Sequence, residues 1–136
     1  MAKATCEQAN LLLKLYDLRR EPRMRQARAW FFVNFDAKTA EEMDKKYPSG
    51  SDENASVRMV VSYWEMAASF VNRGLIEEEL FFENSGEGRI IWNRVKELVP
   101  SLRAARNNPR MWQNLEKLGR RFDAWATKAN NKKKGK

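Results

Sequence analysis

The stretch VRMVVSYWEMAASFV, residues 57–71, decides the fold. Val57, Val60, Val61, Trp64, Ala67, Ala68 and Val71 recur at the three- and four-residue spacing that places side chains on one side of an α-helix. Met59, Met66 and Phe70 widen that face, so a helix over about 54–72 should meet neighbours on more than one side and form the centre of the protein. Gly74 suits the residue after its end, because glycine tolerates a positive φ. Arg58, Ser62, Glu65 and Ser69 make the stretch too polar, and it is too short, to span a bilayer by itself.

Helical patterns continue on both sides. Leu11, Leu12, Leu15 and Leu18 predict a first helix over about 5–19, with Thr5 as its N-cap. Pro22 fits the first position of a second helix, where its missing N–H costs nothing. That helix should reach Phe35, with Met24, Ala27, Phe31 and either Val33 or Phe35 inside. Thr39 and Glu42 stand at capping-box spacing in a short helical segment, and residues 47–54 read as a mobile surface loop. After the central helix, a short helix is expected over about 76–82, with Glu77, Glu78 and Glu79 complementing the dipole of its first turns. A turn follows over 83–88. The next helix should run over about 89–106, kinked or divided at Pro100, and the last over about 109–129. No segment reads convincingly as a strand.

The expected fold is therefore all-α, an irregular bundle of five or six helices. It forms one domain over 1–131, followed by a basic disordered tail over 132–136. The five-residue pattern Pro-Arg-Met-x-Gln occurs at 22–26 and again at 109–113. It is too short to define a repeat and reads as one way of opening a helix used twice.

The 136-residue chain has 43 % hydrophobic residues, including five Trp, seven Phe and three Tyr, which is enough apolar bulk for a core without disulfides or metals. Cys6 is the only cysteine, so no intrachain disulfide can form, and a reducing, cytoplasmic setting is the expectation. The absence of histidine removes zinc sites of the usual kind, His-based triads and phosphohistidine relays. No signal-peptide hydrophobic region opens the sequence.

Charge is unevenly spread. The net formal charge of +8 divides into +4 over residues 1–35, −7 over 36–87 and +11 over 88–136. Such asymmetry fits nucleic-acid binding, intramolecular complementarity or solubility. Candidate phosphate contacts in the basic last third are Arg103, Arg110, Lys117, Arg120 and Arg121. Glu79 and Glu83 share a helical face, but a bundle metal site needs carboxylates converging from several helices, so no metal, cofactor or catalytic residue is assigned. Glu65, between Trp64 and Met66 in the most apolar helix, needs a charged or hydrogen-bonding partner if buried. Arg25, Arg28, Arg103 and Arg106 are the candidates for that partner.

Three landmarks then point in one direction: MRQAR at 24–28, WEMAASFVNRGLI at 64–76, and the later Trp92, Arg106 and Trp112. In these the chain resembles the bacterial domain-of-unknown-function family numbered 4760, over roughly residues 8–125. The resemblance implies an all-helical domain without an established activity. It also implies that Arg25, Arg28, Glu65 and Arg106 share an ion-pair network. Members of that family can carry a transmembrane helix ahead of the domain. No such helix precedes Thr5 here, so membrane anchoring is not carried over. The functional expectation is a small protein-interaction or structural module, binding an unidentified protein or a second copy of itself, and not an enzyme. The alternative is an accessory protein that holds nucleic acid non-specifically through its basic ends.

Overall fold

Side chains at the helix starts decide where the chain coils. In the computed structural model, which describes residues 3–134 and side chains through residue 130, Thr5 accepts a hydrogen bond from the Gln8 amide and opens α1 (Cys6–Arg19). Pro22 occupies the first turn of α2 (Pro22–Asn34), where the Glu21 carboxylate accepts from the Met24 amide at 3.0 Å. Thr39 caps α3 (Ala40–Lys46) by accepting from the Glu42 amide. Only half of the expected capping box forms, because the Glu42 carboxylate turns to the Lys38 amide.

Ser51 opens α4 (Asp52–Asn72) by accepting from the Asn54 amide at 3.1 Å, two residues before the expected start. The loop ahead of α4 shortens accordingly. It is tied at the base, where the buried Asn54 side-chain amide donates to the Tyr47 carbonyl at 2.9 Å.

The second half is cut more finely than the periodicity suggested. With α5 (Glu78–Asn84), α6 (Gly86–Val95), α7 (Val99–Ala105) and α8 (Gln113–Lys134), the described residues form eight helices rather than five or six, and no strand. The break before α7 falls just ahead of Pro100, which sits in that helix's first turn. Asn107 and Trp112 both adopt positive φ, 51° and 55°, which interrupts the helix between α7 and α8, and the last helix starts later than Pro109. At its far end α8 continues through Lys134, so the tail expected over 132–136 begins within the helix. Residues 135 and 136 lie outside the described residues.

The core gathers on α4. Val57, Val60, Val61, Ala67 and Ala68 are fully enclosed, and α4 packs along α2 on one side and α8 on the other. From α2 come Ala27 and Phe31; from α8 come Leu115, Leu118 and Phe122. Burying each large aliphatic or aromatic side chain contributes about 1.5–3 kcal/mol, and Phe81, Ile91, Trp92, Val95, Leu98 and Leu102 from the other helices and turns complete the same core. Phe35, just past α2, is buried and stacks on Phe31 at 4.6 Å, whereas Val33 faces solvent.

Two glycines let helices approach. A Cβ at Gly88 would stand 2.9 Å from the Trp64 ring, and one at Gly119 only 2.3 Å from Trp92 Cγ. No helix among the described residues is long and apolar enough to cross a membrane.

Candidate functional site: an apolar groove beside the first helix

The one helix that does not share fully in this packing is α1, which buries only Leu15. Leu13 and Leu18 are 61 % and 53 % exposed, so the leucine-rich N-terminal segment carries more apolar surface than its neighbours cover. Between α1 and the segment that includes α5 lies a groove of about 450 Å³. Leu12, Leu13, Leu80 and Phe81 line its sides, and Tyr63 and Trp64 of α4 also contribute to its wall.

Both ends of the groove are fastened. At one end the Gln8 side-chain carbonyl accepts from the Glu77 amide at 2.9 Å. At the other, Arg28 holds Glu87 with a forked pair of hydrogen bonds, as short as 2.7 Å, and its remaining nitrogen donates to the Arg19 carbonyl at 3.2 Å. Residues 8–19 and 77–87 therefore run in the same direction along the two sides, and the space between them stays unfilled. Midway, the Tyr63 hydroxyl donates to the Leu15 carbonyl at 2.5 Å.

Electrostatics differ along the groove. Burial pushes the Tyr63 hydroxyl up to about 12; the nearby Arg19 and Arg28 charges pull it down, and Glu87 pushes it further up. The hydroxyl thus stays protonated and serves as a tether. The Arg19 guanidinium lies 5.1 Å from the Tyr16 ring centroid and 5.7 Å from that of Trp64, and the Arg20 guanidinium lies 5.5 Å from the Tyr16 centroid. Among the described residues neither arginine has a carboxylate within ion-pair distance. Trp64 is 2 % exposed, yet its indole Nε1–H has no acceptor among the described residues.

The residues singled out from the sequence stand mostly elsewhere, and they do not form one network. Glu65 is half-buried and meets none of the four arginines. Its carboxylate accepts from the Asn114 and Leu115 backbone amides, at 3.3 and 2.8 Å, and from the Asn114 side chain at 2.8 Å. It caps the N-terminus of α8 from another helix, where unpaired amides and the helix dipole satisfy a carboxylate as well as an arginine would. Arg28 joins Glu87 instead. Arg106 joins Asp44 at 2.6 Å on the surface, a hydrogen bond that holds the Asp44 carboxyl below its usual value. Arg25 is exposed.

Of the five candidate phosphate contacts, Arg103 and Arg120 both pair with Glu116, and Arg121 pairs with Glu78. Arg110 and Lys117 are exposed and have no carboxylate in ion-pair range among the described residues. Glu79 and Glu83 face solvent, and no group of three metal-ligating side chains occurs among the described residues.

Sequence reasoning missed Tyr63 and Glu87. Tyr63 escaped because it lies off the main apolar face of α4, and Glu87 because it sits in a segment read as a turn. The signal that could have led to the groove was the surplus of leucine in the first helix.

Eight α-helices among the described residues, with α4 at their centre, place this chain among the small all-helical domains. The chain belongs to the family described as Domain of unknown function (DUF4760), whose profile matches residues 4–122. That span begins and ends slightly earlier than the expected 8–125. Comparison with curated proteins gave no match, and comparison with solved structures gave none.

Proposed function

We propose that this protein is a binding module that takes an apolar group of another molecule into the groove between α1 and α5. This is the form in which the expected interaction module is kept. The observation that carries it is the 450 Å³ of space lined by leucine and aromatic side chains and fastened at both ends. Pockets of this size and character are the usual sites for apolar ligands and anchoring side chains. A role in binding rather than in catalysis is supported by Tyr63, whose proton is committed to the Leu15 carbonyl and whose pKa lies far above neutrality. A cytoplasmic setting belongs to the same proposal and draws on Cys6, which is exposed and unpaired.

The test is fluorescence of the neutral probe N-phenyl-1-naphthylamine on adding protein. Emission should rise saturably with the unaltered protein. It should fall at least several-fold for Ala9→Trp, which fills the groove from α1 at a half-buried position. An unchanged response in a folded Ala9→Trp protein would remove the groove from consideration.

A further inference from the structure

The groove has a direction as well as a volume. At the end where Gln8 meets Glu77, its nearest walls are Ala9, Leu12 and Leu80. At the other end the polar side chains of Arg19, Asn84 and Ser85 join the lining. The α1 side runs from Ala9 to Arg19, about 15 Å at the rise of an α-helix. An occupant that matches this gradient is slender, apolar over most of its length and charged at one tip.

The sign of that charge follows from what surrounds Arg19. Glu87, the nearby acid, is taken by Arg28 through a forked contact, and so cannot also neutralise Arg19. Arg20 stands beside it on the Tyr16 ring. Opposing them is the carboxyl end of α1, which carries roughly half a negative charge. Arg28 already donates to the Arg19 carbonyl there, and the Arg20 amide closes back onto the last turn, so that opposition is muted. Asp17 and Glu21 are exposed and stand outside the groove lining, in which Arg19 is the one charged side chain among the described residues.

We propose that the groove holds a single-chain carboxylate, with its hydrocarbon tail along Leu12, Leu80 and Phe81 and its head group at Arg19, supported by Arg20. This rests on the binding reading above and specifies its ligand. Tail burial supplies affinity in proportion to the apolar area removed from water, and the arginine pair selects the head group.

The experiment is titration calorimetry of the full chain with laurate and with 1-dodecanol, each below its aggregation limit. The unaltered protein should bind laurate more tightly than the alcohol by about ten-fold or more, the range of one hydrogen bond between charged groups. Arg19→Gln should abolish that preference by weakening laurate binding far more than dodecanol binding, and Arg19→Lys should restore most of it. Circular dichroism and thermal midpoints would establish that both variants fold.

Equal binding of laurate and dodecanol would overturn the carboxylate assignment and leave the groove reading intact. Binding of neither would overturn both. A laurate preference that survives Arg19→Gln would overturn the placement of the head group. Association with vesicles of anionic phospholipid in the absence of laurate binding would overturn the proposal in favour of a membrane surface.

Discussion

The two long sides of α4 and the flank beneath α1 are built on different terms. Along α8, apolar packing and polar fastening coincide. Leu115, Leu118 and Phe122 are buried, the Glu65 carboxylate caps the helix start, and the Asn72 side chain donates to both the carbonyl and the side-chain oxygen of Asn114. Along α1, polar fastening is present without full packing: Gln8, Tyr63 and Arg28 hold the helix in place, and the leucines between them remain partly uncovered. The first arrangement excludes occupants, whereas the second positions a wall and leaves space beside it. The difference is what supports the proposal that binding takes place on the α1 flank.

The comparison breaks most sharply at Gly119. A methyl group there meets Trp92 Cγ at 2.3 Å and its Cβ at 2.9 Å, and Trp92 is buried with little room to retreat. Gly119→Ala should lower stability by about 2–4 kcal/mol, even after the roughly 1 kcal/mol that helix propensity returns to alanine. Urea denaturation would measure it. An unchanged or raised midpoint would mean that α6 and α8 are not pressed together at this point.

A smaller loss is expected from Glu65→Ala. It leaves the first amides of α8 without their carboxylate and should cost about 1–2 kcal/mol, near the upper range for a helix cap. Glu65→Gln should recover part of this through its remaining carbonyl oxygen. Amide hydrogen exchange at Asn114 and Leu115 should accelerate in the alanine variant. Protection that persists there would show that the cap contributes little to the α4–α8 seam.

The smallest effect should come from Tyr63→Phe on the α1 flank, at about 1 kcal/mol for one hydrogen bond. It also carries a pH signature. Burial raises the folded-state pKa of Tyr63 from 10.0 to about 12, so its contribution is complete below pH 10 and is lost as pH climbs through that interval. The phenylalanine variant should therefore lose less stability between those limits than the unaltered protein. Parallel alkaline denaturation curves for the two would contradict the tether between α4 and α1.

Much of this architecture could be read from residue spacing. The apolar positions of α4, the opening of α2 at Pro22 and the burial of Trp64, Val95 and Phe122 follow from periodicity and capping chemistry. The site was less legible. Glu65 was expected to meet an arginine, but it accepts from two backbone amides, which every sequence supplies and none distinguishes, and from the Asn114 side chain. Arg28 and Glu87 stand 59 residues apart, and spacing along the chain says nothing of such a pairing.

By itself the sequence determined that the chain coils into amphipathic helices, because side-chain periodicity and end-capping act over a few residues. Only the tertiary structure decided which carboxylate each arginine meets, which leucines of α1 stay uncovered, and that Gly119 must remain bare. Those outcomes depend on the distances between helices, and such distances are fixed by simultaneous packing of segments far apart in the chain.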